Sequence, residues 1–110
     1  MNCIFCKIVK GEIPANKVKE GDNYFAFNDI NPQAPTHILI IPKEHFADLT
    51  EVKDANLLGH LVQAAGDLAK ELKLEKGFRV VINTGSDAGQ TVFHLHLHLF
   101  GGRIMQWPPG

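Results

Sequence analysis

The sequence lacks any hydrophobic run long enough to cross a membrane. Its apolar stretches, such as Ile38 to Ile41, are strand-sized, whereas a spanning helix takes about 20 such residues. It lacks an excess of either charge: 11 Lys and Arg stand against 12 Asp and Glu, a net −1 with histidine neutral. The basic residues are also scattered, so neither nucleic acid nor a membrane surface is expected as a partner. Cysteine is nearly absent, with two residues in 110. The opening Met1-Asn2-Cys3-Ile4-Phe5-Cys6-Lys7 has neither the basic region nor the apolar stretch of a signal peptide. A cytoplasmic, reducing setting is therefore expected, with Cys3 and Cys6 as thiols or metal ligands and not a disulfide. No repeat, low-complexity tract or linker divides the chain, and its length fits one domain, residues 1–110.

Against that plain background the histidines stand out, because three of the six fall within His94-Leu95-His96-Leu97-His98-Leu99-Phe100. Alternation with period two marks a β-strand, here read over Val92 to Phe100. Leu95, Leu97 and Leu99 then point to a buried face. His94, His96 and His98 line the other, roughly 6.6 to 6.8 Å apart by strand rise.

Elsewhere the pattern gives a short helix over residues 3 to 10, stopped by Gly11 and Pro14, and a hairpin from Asn16 to Asn28 turning at Glu20-Gly21-Asp22-Asn23. Asn31 to Thr36 is a proline-rich loop, His37 to Ile41 a β-branched strand, and Phe78 to Asn83 another. One strong helix runs from about Asp54, its N-cap, to Leu72. Its apolar stripe is Leu57, Leu58, Leu61, Val62, Ala65, Leu68, Ala69 and Leu72, and Gly77 lies beyond its end. The sum is an α+β fold: a mostly antiparallel sheet of about five strands with one face covered by the long helix. The tail ending Trp107-Pro108-Pro109-Gly110 is irregular, and an indole so near a chain end needs its own domain or a partner subunit to pack on.

A neutral imidazole attacks phosphorus well when an acceptor holds its second nitrogen in the right tautomer, and a neighbour can donate hydrogen bonds to the developing charge. The loop Thr84 to Gln90 suits this chemistry, because Gly85 and Gly89 permit close backbone approach and the amides of Gln90 to Val92 with the Thr91 hydroxyl can cradle an anion. Two other readings stay open for the row: a catalytic metal site, which has no carboxylate within the row to complete it, and an incidental solvated face. His37 opens a strand and can reach a site at the sheet edge. His45 reads in isolation as a surface residue, and His60 as a helix flank. Asp29 fits either a sugar-diol acceptor or a turn cap. Cys3 and Cys6 have the spacing of half a zinc site, with His45 and His94 as the candidate other half; two small buried thiols are the alternative.

The sequence resembles the histidine triad (HIT) family, whose motif His-φ-His-φ-His-φ-φ is met at all seven positions from His94 to Phe100. Asp29 to His37, Ile41-Pro42-Lys43, Gly85-Ser86-Asp87, Gly89-Gln90 and the Trp107-Pro108-Pro109-Gly110 ending are similar to the histidine triad nucleotide-binding (Hint) branch. That resemblance implies a purine nucleoside phosphoramidase, releasing AMP and an amine from adenosine 5′-phosphoramidates with no cofactor required for catalysis. His96 would be the nucleophile, His98 and His37 would polarise the phosphate with Thr91 beside them, and His94 would support the row. Asp29 would hold the ribose and Ile30 would line the base pocket. Asn83, Gly89, Gln90, Thr91 and Val92 would take the sugar-phosphate. A homodimer is implied, with Trp107 near the partner's site. Cys3 and Cys6 resemble the pair of those triad proteins that bind structural zinc, which would make His45 and His94 the partners. A purine-nucleotide-binding regulatory module with incidental hydrolysis, and a zinc hydrolase, are the competing functions.

Overall fold

The structure, a computed structural model, describes residues 2–110 and contains a five-stranded antiparallel sheet in the order β1-β2-β3-β5-β4. Helix α1 (Ile4–Val9) precedes the hairpin β1 (Lys17–Glu20) and β2 (Tyr24–Asn28), then β3 (Thr36–Pro42), a 3-10 turn (Leu49–Glu51), α2 (Ala55–Glu71), β4 (Phe78–Val81) and β5 (Leu97–Gly101). No helix of the described residues is long and apolar enough to cross a membrane.

Strand alternation divides the molecule into two layers of different chemistry. Ala26, Ile38, Ile40, Leu97 and Leu99 point to one face, where they pack with Leu95 against Leu61, Ala64, Ala65, Leu68 and Ala69 of α2. Phe25, Phe27, Leu39 and Ile41 point to the other face and are covered in part by Phe5 and Ile8 of α1. The register Ile38↔Leu99 and Leu39↔His98 places β5 beside β3, so the histidines inherit the second face.

Helix α2 starts as its sequence directs, with the Asp54 carboxylate accepting the Asn56 N–H at 2.9 Å. Its apolar stripe is narrower than its composition implies: Val62 and Leu72 are exposed. The helix ends without help from Gly77. Lys73 takes the left-handed conformation (φ 58), its N–H bonds the Lys70 carbonyl and the Leu74 N–H bonds that of Ala69. That double bond is a Schellman closure, which usually selects glycine. Leu74 is thereby folded onto Gly101 of β5, where an added Cβ would meet Leu74 Cδ1 at 2.6 Å.

The histidine strand is shorter than alternation suggests, and regular pairing begins only at Leu97. Continuing the β3–β5 register would set Leu95 opposite Pro42, and proline has no N–H to donate. The Leu95 N–H instead bonds the Phe46 carbonyl at 2.7 Å. Residues 92–96 thus run beside the sheet without belonging to it. Leu61 is fully buried at the centre of the α2 layer, so Leu61→Ala should cost about 2–5 kcal/mol in denaturant unfolding. The exposed Gln63→Ala should stay within about 0.5 kcal/mol in the same assay.

Candidate active site

Each imidazole on the histidine face has a hydrogen-bond partner that dictates its tautomer. His96 Nδ1 lies 2.8 Å from the His94 carbonyl, which can only accept. Nδ1 therefore carries the proton and Nε2 the lone pair. That Nε2 has no hydrogen-bond partner among the described residues, and no buried side-chain nitrogen or oxygen among them is left unpartnered, so it opens to solvent from a ring that is only 7% exposed. His37 Nδ1 accepts the Gln33 N–H at 3.1 Å, which puts a proton on His37 Nε2. That proton faces His98 Nδ1 at 2.9 Å, with Asp29 Oδ2 3.4 Å away. His98 Nδ1 is then an acceptor, and its Nε2 is the N–H. A nucleophilic nitrogen on His96 and a donor on His98 result, their ring centroids 4.9 Å apart.

Burial keeps this group neutral. Desolvation lowers the pKa of His96, against the His94 carbonyl and then Asp29, and that of His37, against Asp29. His98 is brought down to about 4, first by desolvation and then by the neighbouring His96 and His37. Phe100 stacks parallel to His98 at 5.5 Å, and Phe5 meets His96 edge-on at 5.2 Å.

The remaining residues singled out from the sequence divide in two. Thr91 is exposed, Val92 and Asn83 are half-buried, and Gly89 sits at φ 89, where L side chains are strained. Gln90 belongs to the loop's own framework: its side chain donates to the carbonyls of Ala47 (2.8 Å) and Val92 (3.1 Å) and accepts the Gly85 N–H (2.9 Å). Its backbone N–H bonds the Gly85 carbonyl, so of the amides at 90–92 only those of Thr91 and Val92 lack a backbone partner among the described residues. Asp29 does cap a turn, accepting the Asn31 N–H at 2.8 Å, while its other oxygen faces His37. Ile30 and Trp107 are 98% and 82% exposed, so the indole does not pack on its own domain. His60 is a helix-flank residue bonded to Asn23. A cleft of about 730 Å³ lies away from the histidines, between Lys73 to Arg79 and Gly102 to Met105.

Cys3 and Cys6 come together with His45 and His94, all four donor atoms lying within 4.8 Å of one another. His94 Nε2 donates to the Pro42 carbonyl at 2.8 Å, leaving its Nδ1 with a lone pair. Nδ1 lies 3.4 Å from Cys3 Sγ, 3.6 Å from Cys6 Sγ and 3.2 Å from His45 Nδ1, while Cys6 Sγ is 3.4 Å from His45 Nδ1. One lone pair cannot satisfy three neighbours by hydrogen bonding. A tetrahedral zinc with Zn–S of about 2.3 Å and Zn–N of about 2.0–2.1 Å sets its ligand atoms about 3.3–3.8 Å apart. These four separations match the corresponding edges to within about 0.2 Å and the other two stay within 4.8 Å, so the four residues fit a zinc ion. Burial and then the adjacent Cys3 raise the Cys6 pKa, an effect a divalent cation reverses by favouring the thiolate.

A carboxylate that the row itself lacks arrives from outside it, since Asp29, His37 and His98 form a second group of donors. Here the 2.9 Å between the two imidazole nitrogens is shorter than the edge between two zinc-bound nitrogens, about 3.3 Å, and suits an N–H···N hydrogen bond. Sequence reasoning missed Phe5, Phe100 and the backbone groups of Gln33 and Pro42. Phe100 lies two residues from His98 on the same strand face, so alternation alone could have flagged it.

Comparison with known proteins places this site in a family. Residues 10–105 match the model of the HIT domain. A crystal structure of a HIT family hydrolase from Legionella pneumophila superposes with a TM-score of 0.96 at 54% identity, covering 99% of this chain and 100% of the other. That of a histidine triad nucleotide-binding protein from Candida albicans gives 0.86 at 39% identity, covering 97% and 83%. A 14 kDa zinc-binding protein from Zea mays is 51% identical over 111 residues, 97% of this chain and 87% of the relative. The chain belongs to the histidine triad family.

Proposed function

We propose that this protein is a purine nucleoside phosphoramidase of the Hint branch that works through a nucleotidyl-histidine intermediate. The observation that carries the reading is the His96 ring, held neutral by burial and locked by the His94 carbonyl with its free nitrogen toward solvent. His96 Nε2 attacks the α-phosphorus of an adenosine 5′-phosphoramidate. The P–N bond to the amine breaks, its electron pair stays on nitrogen, and that nitrogen takes up one proton. Water then attacks phosphorus, the bond to His96 breaks, and the proton shed by the water replaces the one the amine took up as AMP leaves.

His98 Nε2–H faces this exchange as the donor, and His37 holds it in that tautomer. The amides and hydroxyl of Thr91 and Val92, with Gly89 and Asn83 beside them, supply the phosphate and sugar contacts. Gln90 keeps their loop in shape. The Asp29 carboxylate receives the ribose hydroxyls, and the exposed Ile30 offers apolar surface to the base. Zinc at Cys3, Cys6, His45 and His94 is structural in this reading and supplies no reacting group. The Candida relative's description as nucleotide-binding and the maize relative's as zinc-binding support both halves. Pairing into a homodimer is supported by β4, which among the described residues bonds only to β5, and by the exposed Phe78, Ile104 and Trp107 on that side.

His96→Ala should lower turnover of adenosine 5′-phosphoramidate roughly 10⁴-fold or more with circular dichroism unchanged. Wild-type protein quenched during turnover should gain the mass of one adenylyl group. A variant with near-normal turnover refutes the reading, and slow turnover on every phosphoramidate beside tight AMP binding points to the regulatory module instead. The pH profile gives an independent check. The nucleophile acts as the neutral ring, and the site's histidines are held below the ordinary 6.5. kcat/KM should therefore keep its plateau through pH 6.5 and fall only below it, as the His96 ring takes up a proton. Stability follows the same sign: depressed folded-state values make the histidine contribution full above about pH 6.5, and it is lost as the pH falls toward 4, readable as a falling Tm.

A further inference from the structure

We infer that zinc at the cysteine cluster sets the nucleophile: His94 acts as a positioning residue, transmitting metal occupancy to the tautomer and attitude of His96. This inference rests on the phosphoramidase reading for its kinetic consequence and on geometry for the rest.

Residues 92–96 lie outside the sheet, so no strand ladder fixes the His94 carbonyl that selects the His96 tautomer. Side-chain anchors must do so, and His94 is fully buried with one nitrogen on the Pro42 carbonyl and the other in the cluster. A second rail runs alongside. His45 meets His94 in the cluster, the Phe46 carbonyl holds the Leu95 N–H at 2.7 Å, and the Ala47 carbonyl holds the Gln90 side chain at 2.8 Å. Three consecutive residues thus grip the segment that carries both the phosphate loop and the catalytic ring.

A third link comes from α1, whose six residues are too few to be stable alone. Cys3 and Cys6 tie this helix to the cluster, and Phe5 between them stands edge-on to both His94 (5.8 Å) and His96 (5.2 Å). An ion joining all four donors would close these three connections at one point. Without it, Cys3, Cys6, His45 and His94 share one Nδ1 lone pair among incompatible contacts, and the carbonyl loses its fixed direction.

The test compares zinc-loaded protein, the same protein after chelation, and the chelated protein given zinc again. ¹⁵N-detected histidine spectra should show a single Nδ1–H tautomer for His96 when loaded and an exchange-averaged ring when stripped. The dissociation constant for AMP should be unchanged, while kcat drops about tenfold or more, as loss of an orienting contact does. Zinc should restore both. A stripped protein that melts earlier yet keeps one His96 tautomer and full kcat overturns the inference and leaves the cluster as a fold staple only. Where the stripped chain does not stay folded, His45→Ala decides. It removes the half-buried fourth donor and weakens zinc binding, so once its zinc is lost it should show the second His96 tautomer and lowered kcat with native circular dichroism, and an unaltered ring in the zinc-free variant overturns the proposal. Loaded wild-type protein that forms no adduct would sink the phosphoramidase reading alone, because the tautomer spectra report on the coupling without turnover.

Discussion

The site depends on one hydrogen bond, from His96 Nδ1 to the His94 carbonyl at 2.8 Å. A neutral imidazole has one proton for two nitrogens, and an amide oxygen can only receive it. The bond therefore decides which nitrogen keeps a lone pair, and a backbone carbonyl does not titrate at any pH the protein meets. Burial supplies the other condition by keeping the ring uncharged. Neither suffices alone: an exposed ring in the right tautomer would protonate near pH 6.5, and a buried ring without the carbonyl would divide its proton between two nitrogens. The remainder of the second sheet face serves these two conditions, with Phe5 over the ring and the leucines opposite anchoring its strand.

How much of this could be read from the sequence depends on whether the signal is local. Alternation at Leu95 to Phe100 put leucines and histidines on opposite faces, and they are there, because side-chain direction is a property of each residue's own backbone. The Asp54 cap was legible for the same reason. The start of β5 was not, since it depends on Pro42 lying across from it. Nor was the end of α2, where Lys73 takes a conformation that glycine usually advertises. Val62 and Leu72 joined the apolar stripe by composition, and only packing shows them outward. Gln90 was singled out for a backbone amide that could face an anion, but that amide bonds the Gly85 carbonyl and the side chain turns inward to Ala47, Val92 and Gly85. Carbonyls and amides are the hardest parts to foresee. Pro42, Gln33 and His94 each contribute a backbone group to the tautomer pattern, and every residue type carries the same groups.

The two donor clusters on this face also show how partner chemistry sorts equivalent-looking side chains. Around His37 and His98, hydrogen bonds satisfy the ring nitrogens in a consistent chain running from the Gln33 amide to the outer nitrogen of His98. Nothing there calls for an ion. Around His94 the chain breaks: Cys3, Cys6 and His45 all converge on a nitrogen that can serve only one of them. A cation would resolve that conflict, and two thiolates would neutralise its charge beside the buried His94.

The same contrast explains why only one of the three alternating histidines presents an open accepting nitrogen. His94 has no exposed surface and both nitrogens are engaged. His98 is more open, but the proton it receives at Nδ1 forces its outer nitrogen to be a donor. His96 alone combines an accepting nitrogen, a route to solvent and a partner that cannot change its protonation. Moving the motif by two residues in either direction would keep three histidines on the face and lose that combination, because the selection is made by the surrounding carbonyl and amide groups.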